Sequence, residues 1–235
     1  MGSFTMLEAN DLPGDRIPAP DGEVIVHPVS HATLVLGWKD KIVYVDPVGG
    51  ASRFSNLPKP HIVLVTHIHS DHFDPATLRA VITTNTAIIC PKTVAERLPA
   101  ELAKQAILLT NSQSTEVHGI KVEAVPAYNL TQERLVYHEK GRDNGYVLNL
   151  GGLRVYVSGD TEAVPEMLAL KEIGVAFVCM NLPYTMDAAQ AARAVRAFKP
   201  KIVYPYHCRG ANLEEFKQQI GTDLNIEVRL RNWYP

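Results

Sequence analysis

The apolar positions of this chain fall in short β-branched runs separated by turn residues, with helically spaced segments between them. Glu23–Val29 and Thr33–Leu36 read as strands, Lys39-Asp40 as a turn, and Ile42–Val45 as a return strand closed by Asp46-Pro47. After a loop at Arg53–Pro60, Ile62–Val65 presents four consecutive apolar residues, the pattern of a strand covered on both faces. The spacing predicts a helix over Pro75–Thr83, with Asp74 as N-cap and proline at the first helical position. A strand at Thr86–Cys90, a helical stretch from Thr93 to Lys104, a strand at Ala106–Leu109 and an alternating strand at Ile120–Val125 follow. Beyond a polar loop from Asn129 to Asn144, Tyr146–Leu150 and Arg154–Val157 form a predicted hairpin around Gly151-Gly152. The remainder alternates helix and strand: Pro165–Ile173, Val175–Cys179, Ala188–Phe198, Ile202–Tyr206, Leu213–Ile220 and Ile226–Leu230.

The same order thus occurs twice, in 23–128 and 145–230. It suggests an α/β (α+β) chain of two sheets packed together with helices outside. No linker composition separates the halves, so 23–235 is expected to be one domain. Residues 1–22, rich in Pro, Gly and Asp, read as a loose lead-in. Composition changes this picture little: with 46% hydrophobic and 20% charged residues among 235, the chain is not disordered, collagen-like or a coiled coil. A net charge of −2 offers no global field for nucleic acid, and 7% aromatics no extended stacking platform. The three cysteines, at 90, 179 and 208, make no disulfide framework. No apolar run reaches the roughly 18 residues of a membrane span, and no signal peptide is read at the start. These features together predict a cytoplasmic location.

Histidine is where chemistry concentrates. Of nine, three fall within six residues in Thr66-His67-Ile68-His69-Ser70-Asp71-His72, directly after the doubly covered strand. Imidazole and carboxylate are the usual nitrogen and oxygen ligands of zinc and similar ions. In a tight loop His67 and His69 can face one ion while Asp71 and His72 face another. Two further polar residues close strands downstream: Asp160, in Gly159-Asp160-Thr161, and His207. Taken singly, either is an ordinary turn former or structural residue. With the cluster, they fit a metal site assembled from several strand ends.

His-x-His-x-Asp-His after a buried strand, then Gly-Asp-Thr, then a late His resembles the metallo-β-lactamase-fold metal-dependent hydrolases over residues 23–230. Ser30-His31-Ala32, Val45-Asp46-Pro47 and Pro205-Tyr206-His207 look like its L-ascorbate-6-phosphate lactonase-like branch. The resemblance implies a four-layer αββα sandwich and one or two divalent ions per chain, zinc first, manganese or iron next. It implies that His67 and His69 bind the first ion, that Asp71, His72 and His207 bind the second, and that Asp160 bridges them. Asp71 and Asp160 would also serve catalysis, with His31 and Asp46 near the site.

One departure stands out. Where the family supplies a third histidine to the first metal, this chain has Val125-Pro126-Ala127-Tyr128-Asn129. An amide oxygen is a weaker zinc ligand than imidazole. His138, nine residues on, is a candidate replacement or else a loop surface residue. Arg134, Lys140 and Arg142 could hold an anion if the loop overhangs the site, and Tyr184 follows a strand end on the same side. His27, His61 and His118 read as structural.

The expected activity is attack by a metal-held hydroxide on a small ester, lactone or phosphodiester. The expected partner is a small molecule, anionic ones included. Nucleic acid and membrane are disfavoured, and a homo-oligomer is compatible with the sequence. The alternatives are a nuclease on the same fold and a non-catalytic metal-binding module, the latter supported by Asn129.

Overall fold

The computed structural model describes residues 9–234. Among them, the strands form two seven-stranded sheets, each in simple sequence order. The first holds β1 (Asp15–Ala19), β2 (Gly22–Ser30), β3 (Thr33–Trp38), β4 (Lys41–Val45), β5 (Ile62–Leu64), β6 (Ala87–Cys90) and β7 (Ala106–Leu108). The second holds β8 (Ser114–Val117), β9 (Ile120–Ala127), β10 (Asp143–Leu150), β11 (Leu153–Val157), β12 (Val175–Cys179), β13 (Ile202–Tyr206) and β14 (Glu227–Val228). Each sheet begins with four antiparallel strands and continues with parallel pairs, from β4 to β7 and from β11 to β14.

Strand periodicity explains the layering. Along β4, Val43 and Val45 enter the large core shared with the second sheet, while Ile42 and Tyr44 enter a separate outer core. In β5 and the residue after it, Ile62 and Leu64 point inward, Val63 and Val65 outward. This is why Ile62–Val65 is apolar throughout: both faces are covered, and each such side chain contributes about 1.5–3 kcal/mol on burial. The outer core also takes Leu78 and Val81 of α1 (Pro75–Val81), Val94 of α2 (Lys92–Ala95) and Leu102 of α3 (Ala100–Ala103). On the far side, α4 (Pro165–Leu168), α5 (Ala188–Phe198) and α6 (Leu213–Ile220) cover the second sheet through Met167, Val195 and Phe216. The result is the four-layer αββα sandwich of two mixed sheets.

Capping is as the sequence indicates. The Asp74 carboxylate accepts from the Ala76 amide ahead of α1, and Asp187 accepts from Gln190 ahead of α5. Several boundaries differ. Residues 15–19, inside the expected lead-in, form edge strand β1; Pro18 disguises it, yet an edge strand tolerates a missing donor. Asp15 in that strand also receives Arg231 Nη2 at 2.8 Å, anchoring it to the carboxyl-terminal segment. The helical stretch from Thr93 breaks into α2 and α3 because Pro99 removes a donor and pushes Leu98 out of the helical region. The helix starting at Pro165 stops at Leu168, and Glu172 turns the chain into β12 with φ 55°. Strand β8 has no apolar run because it lies at the sheet edge, its residues alternating between exposed and part-buried. No described helix is long and apolar enough to cross a membrane.

Candidate metal centre

The ends of both sheets converge at one edge of the sandwich. β4 delivers Asp46, β5 delivers Thr66 and the histidine loop, β11 delivers Asp160, and β13 delivers His207. His31 sits in the turn between β2 and β3, and His138 in the loop between β9 and β10. Three of these residues adopt left-handed backbone without being glycine: His31 (φ 53°), Asp46 (φ 44°) and His207 (φ 44°). Each such conformation costs on the order of 1 kcal/mol or more and is held by its surroundings. His207 N–H donates to His31 O at 3.0 Å, and Asp46 N–H to Leu64 O at 2.9 Å. Gly159 (φ 60°) is needed ahead of Asp160, since a Cβ there would lie 2.8 Å from Asn144 O.

Two donor groups form around Asp160. His67, His69, His138 and Asp160 place one donor atom each within 4.8 Å of one another, and so do His72, Asp160 and His207. Within the first, His67 Nε2 stands 3.1 Å from His69 Nδ1 and 3.9 Å from Asp160 Oδ2, and His138 Nε2 stands 3.4 Å from that oxygen. Within the second, His72 Nε2 is 3.4 Å from Asp160 Oδ1 and His207 Nε2 is 3.4 Å from Oδ2. Asp71 Oδ2 joins them at 3.3 Å from His207 and 3.7 Å from His72. Four ligands about 2.0–2.1 Å from a tetrahedral ion are roughly 3.4 Å apart, so these spacings suit a cation at each centre. Buried donors without any hydrogen-bond partner, namely His72 Nε2, His138 Nε2 and Asp160 Oδ1, make the same case.

Outer partners fix which ring nitrogen faces the centre. The Thr66 hydroxyl donates to Asp46 Oδ2 at 2.7 Å, so it accepts from His67 Nδ1 at 3.0 Å. His72 Nδ1 donates to Asp46 Oδ2 at 2.7 Å, and His138 Nδ1 to Asp143 Oδ2 at 3.2 Å. All three rings therefore turn an Nε2 lone pair inward, the carboxylate–histidine arrangement typical of metal ligands. Arg142 in turn grips Asp143 with two bonds of 2.8 Å. His31 differs. The Asp71 carboxylate can only accept and burial keeps the His31 ring neutral, so the ring's one proton lies on Nε2. His31 Nδ1 accepts from the Tyr234 hydroxyl at 2.9 Å, and that hydroxyl also accepts from Cys208 N–H at 2.9 Å. His31 Nε2 then carries a proton and donates it to Asp71 Oδ2 at 3.1 Å, which makes His31 a partner of Asp71.

Electrostatics follow from this crowding. Burial would raise the Asp160 carboxyl, but the facing His207 and His72 rings hold it well below the usual range. Burial opposes a charge on His72, yet Asp160 and Asp46 raise it to about 9. Burial and the neighbouring His72 depress His67. Asp160 is 3% exposed whereas Asp71 is 46% exposed, so the centre opens toward solvent on the Asp71 side.

Asn129 keeps its side-chain oxygen buried without a hydrogen-bond partner. Its side-chain amide donates to Arg134 O and Tyr184 O, and its backbone N–H to His138 O at 2.9 Å. It holds the loop that carries His138 inward. Tyr184 lies on an exposed rim with its ring against Tyr137. Two of the loop's basic residues are already engaged, Arg134 with buried Glu162 and Arg142 with Asp143, while exposed Lys140 lies over the Tyr128 ring. Cys208 is buried and its thiol is pushed up to about 11, which removes it as a nucleophile. His27, His61 and His118 make backbone contacts away from the centre. Thr66, Asp143 and Tyr234 are unread in the sequence; the only cue is that Thr66 adjoins His67 and Asp143 closes the His138 loop.

Comparison with known proteins agrees with this geometry. Residues 26–207 match the family model of the beta-lactamase superfamily domain. A UPF0173 metal-dependent hydrolase of Thermococcus onnurineus is 31% identical over 71% of this chain and 77% of its own length. One from Thermoplasma acidophilum is 31% identical over 82% and 88%. A proposed metal-dependent hydrolase of Parabacteroides distasonis superposes with a TM-score of 0.86 at 39% identity, covering 93% of this chain and 98% of its own. Igni18, a metallo hydrolase of Ignicoccus hospitalis, shares the fold with a TM-score of 0.73 at 22% identity over 90% and 96%. The chain belongs to the metallo-β-lactamase superfamily of metal-dependent hydrolases.

Proposed function

We propose that this hydrolase cleaves a small ester, lactone or phosphodiester at a two-ion centre whose halves share Asp160. The observation that carries the reading is the pair of donor groups meeting at Asp160, with inward Nε2 atoms fixed by outer hydrogen bonds. His67, His69, His138 and Asp160 would hold one ion, and Asp71, His72, His207 and Asp160 the other. Zinc suits the imidazole-rich donor set best, with manganese or iron as alternatives. When bound, such ions supply Lewis acidity, which acidifies water and polarises a carbonyl or phosphoryl oxygen.

The chain's own residues do the rest. Asp71, on the open side, would orient the attacking water and accept its proton on the carboxylate oxygen that the ion and His31 leave free. His31 Nε2–H holds the Asp71 carboxylate in place, and the proton that Asp71 takes from the water is the one returned to the leaving oxygen. Resemblance to the lactonase-like branch favours a lactone or ester over a phosphodiester. The engagement of Arg134 and Arg142 by internal carboxylates counts against a nuclease channel in this loop. The position of His138 removes the argument that Asn129 leaves the first pocket too weak for turnover. Three free buried thiols accord with a reducing, cytoplasmic setting.

Metal analysis of the purified protein is expected to find one to two equivalents of zinc, manganese or iron. Chelation should abolish hydrolysis across an ester, lactone and phosphodiester panel, and metal should restore it. Protein that takes up no metal, or hydrolyses equally well without it, overturns the reading.

A further inference from the structure

A cleft of about 520 Å³ lies one residue layer from the centre, lined by Val29, Ser30, Arg53, Arg209 and Tyr234. Tyr234 belongs to both places, because its hydroxyl donates to His31, the residue that holds Asp71. Arg209 follows His207 by two residues and stacks its guanidinium 4.8 Å from the Tyr234 ring centre. Arg53 is seated against Gly49, where φ is 91° and a Cβ would lie 2.5 Å from Arg53 Nε. The glycine leaves the space in which that guanidinium lies.

These two arginines line one cleft, and no carboxylate in the described structure answers their charge. Elsewhere in the described structure, Arg134, Arg142, Arg154, Arg196, Arg229 and Arg231 each meet a carboxylate. Neither Arg53 nor Arg209 has a carboxylate or hydrogen-bond partner for its guanidinium, and no acidic side chain lines their cleft. Both guanidinium groups stand exposed on one cavity, and a guanidinium matches the paired oxygens of a carboxylate or phosphate. The cleft also lies on the open side, since Asp71 is the half-exposed member of the centre and His31 connects it to Tyr234.

We propose that this cleft is an anion subsite that binds a carboxylate or phosphate group of the substrate while the scissile bond lies at Asp71. The inference rests on the hydrolase reading for its orientation. It assigns Arg53 and Arg209 to selection of an anionic substrate, with Gly49 and Tyr234 as positioning residues.

Calorimetric titration of the metal-loaded protein with inorganic phosphate, and separately with acetate, tests binding without turnover and shows which oxyanion is preferred. Arg53→Gln and Arg209→Gln are each expected to weaken binding roughly tenfold or more. Gly49→Ala, which keeps both charges but displaces Arg53, should act in the same direction. Equal affinity in wild type and both glutamine variants would place the anion on the metals alone and overturn the subsite, as would failure of both anions to bind. In parallel, the ratio of kcat/KM for 4-acetoxybenzoate over phenyl acetate should fall in the variants through KM. An unchanged ratio overturns the subsite and leaves the hydrolase standing. Hydrolysis of neither ester, alongside arginine-dependent phosphate binding, would instead count against the hydrolase reading.

Discussion

The two donor groups around Asp160 are reached by different routes through the chain. The first depends on hydrogen-bonded side chains behind its ligands: Thr66 behind His67, and Asp143 with Arg142 behind His138. The second relies more on forced backbone: His207 sits in left-handed geometry, and His72 is backed by Asp46, itself in left-handed geometry. A ligand supplied by a long loop needs polar fastening, because the loop brings no ladder of its own. A ligand at a strand end inherits rigidity from the sheet and needs only a turn sharp enough to aim it.

The largest effect should come from the residue that belongs to both groups. Asp160→Ala is expected to strip metal from both and reduce hydrolysis to background, as read by metal content and turnover. Retention of a full metal complement would show that the halves are independent. His138→Ala should separate them, lowering metal content by about one equivalent, whereas Asn129→Ala should act only by loosening the loop. Equal losses in the two variants would break the distinction between ligand and fastener. Next come the outer carboxylates: Asp46→Asn and Asp143→Asn should each weaken metal affinity roughly 10–100-fold. The Asp46 variant should be the more severe, because it also loses its contacts with Thr66. Affinity measured by competition with a chelating dye gives the order.

The smallest effect concerns pH. Burial opposes charge on His72, but Asp160 and Asp46 lift its folded value to about 9, above the ordinary imidazole value of 6.5. A raised value means that this contribution to metal-free stability is fully present below 6.5 and is lost as pH rises through 9. Thermal melting of chelator-treated protein should therefore fall over that window, while the metal-loaded protein, with an ion in place of the proton, stays flatter. Parallel curves would remove His72 from the centre.

The same contrast explains what the sequence made legible. The contiguous run from His67 to His72 announces itself because one tight loop feeds both groups. Asp160 and His207 are single residues, intelligible only beside that run. Asn129 stands where an imidazole is expected, and only the folded loop shows that it holds His138 from behind. Doubly covered β5 and capped α1 were readable because local pattern and tertiary burial agree there. Strand β1 was not, since Pro18 is permitted only by its edge position, and α2 and α3 were merged because the break lies in one dipeptide, Leu98-Pro99. Arg134 and Arg142 looked free in a polar loop; their partners Glu162 and Asp143 are identified by folding alone.

The left-handed turns at His31, Asp46 and His207 have a consequence for anyone who would make this protein sturdier. Glycine adopts that conformation without the side-chain clash, so by local backbone preference alone each position favours replacement by about 1 kcal/mol. Every such replacement would delete a ligand or the group that aims one. Heat resistance and chemistry therefore pull in opposite directions at these three strand ends, and stabilising substitutions belong in the outer helices.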